Sequence, residues 1–218
     1  MSARTVRSGE RLRFPGVRAP KPLLPPEAER RLTARQREIL DELEKLVTGD
    51  DLSEYTMAEI AAQVNCSLRT LYGISPSKEE LVLTVVDRRL HRIGRSAIGS
   101  LDASLPPLEA LSVYLRAANE AVQPDSVSFA RDLADLPGVQ RVFDAHEAYL
   151  IAVAQNLLDR AVADGQIPPV DTASVAHVLG GLGREFARPE VAEVAAASPK
   201  ATADAITAII LRGLAASR

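Results

Sequence analysis

An all-helical fold in two parts, with about nine helices, is predicted by three observations on this chain. Apolar residues recur at three- and four-residue spacing in segment after segment, and no stretch alternates with period two over a useful length, so no sheet is expected. Capping boxes recur near the N-terminal end, at Thr33–Gln36, Thr56–Glu59 and Ser77–Glu80. Each sets a hydroxyl three residues ahead of a Glu or Gln that can answer it. Between residues 56 and 81 two short helical segments meet at a tight turn, the arrangement of a helix-turn-helix.

The chain has 218 residues, enough for one large domain or two small ones, and its 46% hydrophobic content can build a substantial core. Aromatic residues make up only 4% and there is no Trp, which argues against stacking on single-stranded bases. Cys66 is the single cysteine, so no intramolecular disulfide can form. No apolar run reaches the length of a membrane span. The basic N-terminus lacks the apolar segment of a secretory signal, so a cytoplasmic protein is expected. Net charge is −3, but it is unevenly spread. Residues 1–31 hold eight basic and three acidic side chains, about +5, which leaves about −8 for the rest.

Residues 1–31 are rich in Arg and Pro and cannot bury much apolar surface, so a flexible basic arm is expected. Its arginines either reach a DNA minor groove or phosphates, or are simply solvated. The first helix follows the Thr33 box with Ile39, Leu40, Leu43, Leu46 and Val47 on one face, and turn residues Gly49 to Ser53 end it. Arg35 and Arg37 near its start read as solvated charges or phosphate contacts. Met57, Ile60, Ala61 and Val64 line one face of the next helix. Asn65 stands where the chain must turn, and Asn tolerates a left-handed backbone. Ser67 then caps the segment Leu68–Tyr72, which turns Leu71 to the core and presents Ser67, Leu68, Arg69, Thr70 and Tyr72. A helix-turn-helix places the start of its second helix in a major groove. There the Arg69 fork matches guanine O6 and N7, hydroxyls suit phosphates, and Leu68 suits a thymine methyl. The competing reading of Arg69 is a phosphate contact or a surface ion pair.

Thr56-x-x-x-Ile60-Ala61-x-x-Val64-Asn65-Cys66-Ser67-x-x-Thr70-Leu71-Tyr72, followed by Ser77-Lys78-Glu79-Glu80-Leu81, resembles the DNA-binding domain of the TetR family of bacterial transcription regulators over roughly residues 34–95. The resemblance implies a DNA-binding domain at 32–78 and a helical regulatory and dimerisation domain at 79–218. It implies contacts to double-stranded DNA, at an inverted-repeat operator, from Thr56, Ser67, Leu68, Arg69, Thr70, Tyr72 and Lys78. Repression relieved by a small molecule is the default it implies, with activation or dependence on a co-repressor as the alternative. The chain departs from the family pattern at Gly73 and Ile74, where an aromatic or His and then Phe are usual, and at Asn65 and Cys66 in the turn.

The helix opened by Ser77 spans about 22 residues through Leu81, Val82, Val85, Val86, Leu90, Ile93 and Ala97. Further helices are expected from Pro106, over 126–136, over 139–164, after Asp171 and after Ser198, with one or two turns between 188 and 198. The stop at Pro137-Gly138 separates two of them. Val175, Val178, Leu179, Leu182 and Phe186 should face inward. The last two long helices carry small residues, Gly180, Gly181 and Gly183 in one and Ala201, Ala203, Ala205, Ala208 and Gly213 in the other. These permit close approach, either within the chain or, as the resemblance implies, to a second subunit in a four-helix bundle. Tyr114, Phe129, Phe143, His146, Tyr149 and His177 are the larger or polar side chains on expected inward faces. They either line an effector pocket or are ordinary core.

No catalytic constellation stands out. His91, His146 and His177 include no helix-spaced histidine pair, and His146-Glu147 lacks the second His of a zinc-protease motif. No Gly-rich phosphate loop, nucleophile elbow or Cys-His set is present. No enzyme activity, metal or cofactor is expected. An all-helical enzyme and a protein-binding scaffold are the contrasting readings.

Overall fold

The computed structural model describes residues 12–49, 55–122, 137–192 and 194–217. Among them the chain forms α-helices and no strand: α1 Pro26–Arg31, α2 Ala34–Gly49, α3 Met57–Gln63, α4 Leu68–Tyr72, α5 Lys78–Gly99 and α6 Pro107–Ala118. A 3-10 turn, Asn119–Val122, follows α6. The remaining helices are α7 Pro137–Ala163, α8 Thr172–Phe186, α9 Pro189–Ala192 and α10 Pro199–Ala216. No described helix is long and apolar enough to cross a membrane. The described residues cluster into two compact units. One is drawn from Pro20–Arg92 and Pro124–His146, the other from Met1–Ala19, Ile93–Gln123 and Glu147–Arg218, so the division falls inside both α5 and α7.

The first unit buries the stripes that periodicity picks out: Ile39, Leu40 and Leu43 of α2, Ile60, Ala61 and Val64 around α3, Leu71 of α4, and Leu81, Val82, Val85 and Val86 of α5. Helix starts follow the capping chemistry. Thr33 and Gln36 exchange both bonds of a capping box, at 2.9 and 3.2 Å. Thr56 and Glu59 do the same. Ser77 Oγ accepts the Glu80 amide at 3.1 Å. Gly138 lets α7 lie close to α5, since a Cβ there would lie 2.6 Å from Leu83 Cδ1 and that side chain would have to shift.

An ionic cluster sits in the same unit. Glu44 on α2 is a buried carboxylate, 4% exposed, gripped by Arg88 and Arg92, which are four residues apart on α5. Arg88 also donates from Nη1 to Asp41 at 2.7 Å and from Nε to Glu29 of α1 at 3.2 Å. Burial works against the Arg88 charge, but Asp41, Glu44 and Glu29 outweigh it and raise the guanidinium above its ordinary pKa. A buried carboxylate without such partners would be strongly unfavourable, so this cluster fixes how α1, α2 and α5 meet.

The second unit has its own core, with Leu111, Tyr114 and Leu115 of α6, Val153, Leu157 and Leu158 of α7, Leu179 of α8 and Leu211 of α10. Gly165, at φ +66°, turns the chain after α7. The Gln166 side chain then accepts the Leu108 amide at the start of α6, at 3.0 Å. Asp171 and Ser198 cap α8 and α10 through the amides of Ser174 and Ala201.

Several expectations change. Residues 1–11 of the expected flexible arm lie outside the described residues, as does the expected helix over 126–136. The rest of that arm makes defined contacts. Leu12, Phe14 and Val17 pack on the core of the second unit, and Arg160 lies over the Phe14 ring at 5.8 Å. In the first unit Pro25 and Pro26 open α1. Prolines lower the entropy lost on ordering, and a few apolar side chains then suffice to anchor the segment. Pro137 and Gly138 open α7, a position that suits Pro. On α8 the buried residues are Ala176, Leu179 and Gly183, so His177 and Val178 point to solvent, Val178 at 53% exposure. Small residues share the inward face with Leu179 there and allow α8 to lie close to α7. A Cβ on Gly180 would meet Ile151 at 2.5 Å.

Arg88→Ala should lower the unfolding free energy by roughly 3 kcal/mol in urea titrations, because Glu44 stays buried with one partner gone. Arg37→Ala, at an exposed position, should change it by no more than about 0.5 kcal/mol.

Candidate nucleic-acid interface

The interface begins with the turn. Asn65 holds φ +46°, the left-handed conformation expected of it, and is the described non-glycine residue with positive φ. The Asn65 and Cys66 amides close the end of α3 by bonding to Ala62 and Ala61 carbonyls at 3.2 and 2.9 Å. Arg35 reaches across from α2 and donates from Nη2 to the carbonyls of Val64 and Asn65, both at 3.1 Å. It also pairs with Glu38 and Glu42. Neither solvation nor a phosphate contact is therefore its principal role. It satisfies the free carbonyls of α3 and fixes the turn. Gln36 acts alike on the far side, with Nε2 3.5 Å from the Gly73 carbonyl at the end of α4. Sequence spacing on α2 alone carries no signal for either contact, since the partners lie 29 to 37 residues away.

α4 stands on Leu71, which is fully buried. Ser67 Oγ accepts the Thr70 amide at 3.1 Å and lies 2.8 Å from Thr70 Oγ1. The outward residues are Ser67 and Arg69, with Leu68 at 40% and Tyr72 at 51% exposure, while Thr70 is half-buried. Two large apolar or aromatic side chains held in water on a five-residue helix need a reason, and a partner surface supplies one. Gly73 caps α4 with φ −76°, so no left-handed backbone requires glycine there. A Cβ would instead crowd Thr70 O at 3.3 Å and Gln36 Nε2 at 3.4 Å.

Thr56 is exposed at the start of α3, and its hydroxyl donates to Glu59 Oε2 at 2.8 Å. Amide and hydroxyl bonds from Thr56 hold the Glu59 carboxyl below its usual pKa. The Thr56 proton is thus engaged within the box. Lys78 begins α5 and is half-buried. Cys66 is half-buried, and burial pushes its thiol pKa up, the opposite of what a reactive thiolate needs.

The six effector candidates are distributed as follows. Phe129 lies outside the described residues. Tyr114 is 2% exposed in the core of the second unit, with Tyr149 packed against that core. Burial, and then the neighbouring Tyr149, raise the Tyr114 hydroxyl well above its ordinary pKa. His177 is exposed in the same unit, while Phe143 and His146 belong to the other unit.

His146 has partners that sequence spacing did not expose. Its Nε2 lies 3.1 Å from Asp87 Oδ1, and His91 Nε2 lies 3.6 Å from the same oxygen. Asp87 and His91 are one turn apart on α5, a carboxylate–histidine pair that a search for histidine pairs passes over. Among the described residues, these three are the group able to hold a metal ion.

An apolar groove of about 340 Å³ runs beside α9 and α10, lined among others by Phe186, Val191, Val194, Ala201 and Ile206. None of the five described effector candidates lines it. On α10, Ala203, Thr207 and Leu211 are buried, while Ala201, Ala205, Ile209 and Gly213 form an outward stripe. Ile209 is 56% exposed.

The described geometry defines a helix-turn-helix unit accompanied by a second, helical unit. Solved structures share this arrangement. PfmR, a TetR family transcriptional regulator from Thermus thermophilus, is 24% identical with a TM-score of 0.56 over 81% of this chain and 98% of that one. A TetR transcription regulator from Haloarcula marismortui is 16% identical with a TM-score of 0.68 over 84% and 99%. The chain has the fold of the TetR family of transcriptional regulators. No family model matches the chain. Two uncharacterized HTH-type transcriptional regulators of Mycobacterium tuberculosis strains are each 37% identical over 89 residues, 38% of this chain and 44% of theirs. The chain thus spans less than half the length of the curated relatives it matches.

Asn65→Ala should lower stability by about 1 kcal/mol, whereas Asn65→Gly should leave it within about 0.5 kcal/mol, because glycine enters the left-handed region freely. Urea unfolding of both variants measures the difference.

Proposed function

We propose that this chain is a sequence-specific DNA-binding transcription regulator that acts as a homodimer on an inverted-repeat operator. The observation that carries the reading is the outward face of α4, where Ser67, Leu68, Arg69 and Tyr72 stand exposed around a fully buried Leu71. The surrounding caps make that face rigid, so its side chains meet a groove without first being ordered. In this reading Arg69 reads a guanine, Leu68 meets a thymine methyl, and Ser67, Thr70 and Tyr72 hold phosphates. Lys78 holds a phosphate at the start of α5. Thr56 joins the interface through its backbone or by releasing Glu59, since its hydroxyl proton is engaged within the chain.

One short helix reads too few base pairs for specificity, so two copies about 34 Å apart are required. The outward faces of α8 and α10 support a dimer. Val178, Ile209, Ala201, Ala205 and Gly213 are exposed, while Gly180 and Ala203 serve packing within the chain. The reading assigns control to a small molecule that binds one DNA-affinity state better than the other, releasing a repressor in its simplest form. Tyr114 and Tyr149 are the two candidates for that pocket that share the interior of the second unit.

Selection of genomic duplex fragments by the full chain should recover a shared inverted repeat. Arg69→Ala should weaken binding to it by about 1–3 kcal/mol and relax preference at one position of each half-site. Lys78→Ala should instead weaken all sequences alike and reduce the salt slope by about one per half-site. Failure to recover any motif at low salt would overturn the reading. Ile209→Glu should convert the dimer to a monomer in light scattering and cut operator affinity at least tenfold; an unchanged dimer would remove this face from the interface.

A further inference from the structure

We propose that Asp87, His91 and His146 form a binding site for a divalent transition-metal ion of the zinc class. The inference goes beyond the DNA-binding reading and stands without it. Asp87 and His91 project from one face of α5, one turn apart, and His146 comes from α7, 59 residues from Asp87. Their potential ligand atoms all lie within 4.8 Å of one another. Around an ion bound at about 2.1 Å, neighbouring ligand atoms are separated by about 3.0–3.4 Å in octahedral or tetrahedral geometry. The two histidine nitrogens already lie 3.1 and 3.6 Å from Asp87 Oδ1. The remaining edge, between the two histidines, is within 4.8 Å.

The carboxylate is set for this role. The Leu23 amide donates to Asp87 Oδ2 at 2.8 Å, which orients the group and turns Oδ1 toward both rings. The imidazoles meet edge to face, with centroids 4.6 Å apart, so each directs Nε2 at that oxygen without stacking on the other. The side chains of Asp87, His91 and His146 are 5%, 12% and 12% exposed. Burial works against the Asp87 charge, but bonds from His146 and Leu23, with the charges of both imidazoles, outweigh it and keep the carboxyl below its usual pKa. A single carboxylate oxygen with two imidazole nitrogens beside it, all three side chains largely shielded from water, offers a preformed donor set for one dication. Two nitrogens and one oxygen select zinc, nickel or cobalt over magnesium or calcium, and three protein ligands leave a position for water. The bound ion ties α5 to α7 within the helix-turn-helix unit.

The test uses the full, untagged chain, freed of metal by chelation and titrated with zinc chloride by calorimetry. One ion per chain is expected, with no uptake of magnesium at the same concentrations. His91→Ala and His146→Ala should each weaken uptake at least tenfold, while His177→Ala and Cys66→Ser should leave it unchanged. At zinc a hundredfold above the dissociation constant, the folded-to-unfolded ratio of the wild type should rise about a hundredfold, raising Tm. A readout independent of the variants is the imidazole nitrogen spectrum of the wild type, in which zinc should move the His91 and His146 resonances and not those of His177. Absence of saturable uptake at one ion per chain, or uptake that survives loss of either histidine, would overturn the site. So would a zinc-induced shift confined to His177.

Discussion

The arrangement of the helix-turn-helix unit depends on one buried carboxylate. Glu44 sits in the interior of α2 and is stable there as an anion only because Arg88 and Arg92 approach it together from α5. Two guanidinium groups one turn apart present a fork that a pair of lysines would not reproduce. The position of α2 against α5 is therefore set by charge geometry as well as by apolar contact. α2 in turn positions both helices of the helix-turn-helix. Arg35 holds the carbonyls at the end of α3, and Gln36 touches the end of α4. The exposed α4 surface is thus tied to a buried ion cluster through two polar side chains of one helix.

Much of this was legible in the sequence because the governing interactions are local. The capping boxes at Thr33 and Thr56, the left-handed turn at Asn65 and the inward Leu71 each depend on residues within about four positions of one another. The same holds for Asp171 and Ser198 at the starts of α8 and α10. What escaped depends on partners far along the chain. Arg35 reads as a surface charge until Val64 is brought beside it. Asp87 and His91 read as an ordinary helix face until His146 arrives. On α8 the apolar stripe misled at Val178, because small residues there face inward and a pattern weighted toward large side chains cannot register them. The N-terminal segment misled for a related reason. Its composition is that of a solvated arm, yet Leu12, Phe14 and Val17 are enough to pack part of it down.

Small residues divide between two tasks in the second unit. Gly180 admits Ile151 and Leu150 of α7 so closely that a methyl group would collide, and Ala203 is buried in α10. Ala201, Ala205 and Gly213 are exposed on the outer face of α10, and among the described residues a Cβ on Gly213 would meet nothing within 4 Å. In the proposed dimer, this low outer surface, interrupted by Ile209 and, on α8, by Val178, meets the second subunit.

α5 bears on two different neighbours with two pairs of side chains set one residue apart. Arg88 and Arg92 face Glu44, and Asp87 and His91 face His146, about 100° away around the helix. A single row of contacts would act as an axle about which α5 could roll. Two rows at different azimuths remove that degree of freedom, since any roll that tightens one row pulls the other apart. Roll about its own axis is therefore the displacement that the first half of α5 resists on two sides. A helix keyed in this way transmits lever motion and suppresses twist, so Lys78 and the elements just ahead of it would be displaced as a body rather than re-aimed side chain by side chain.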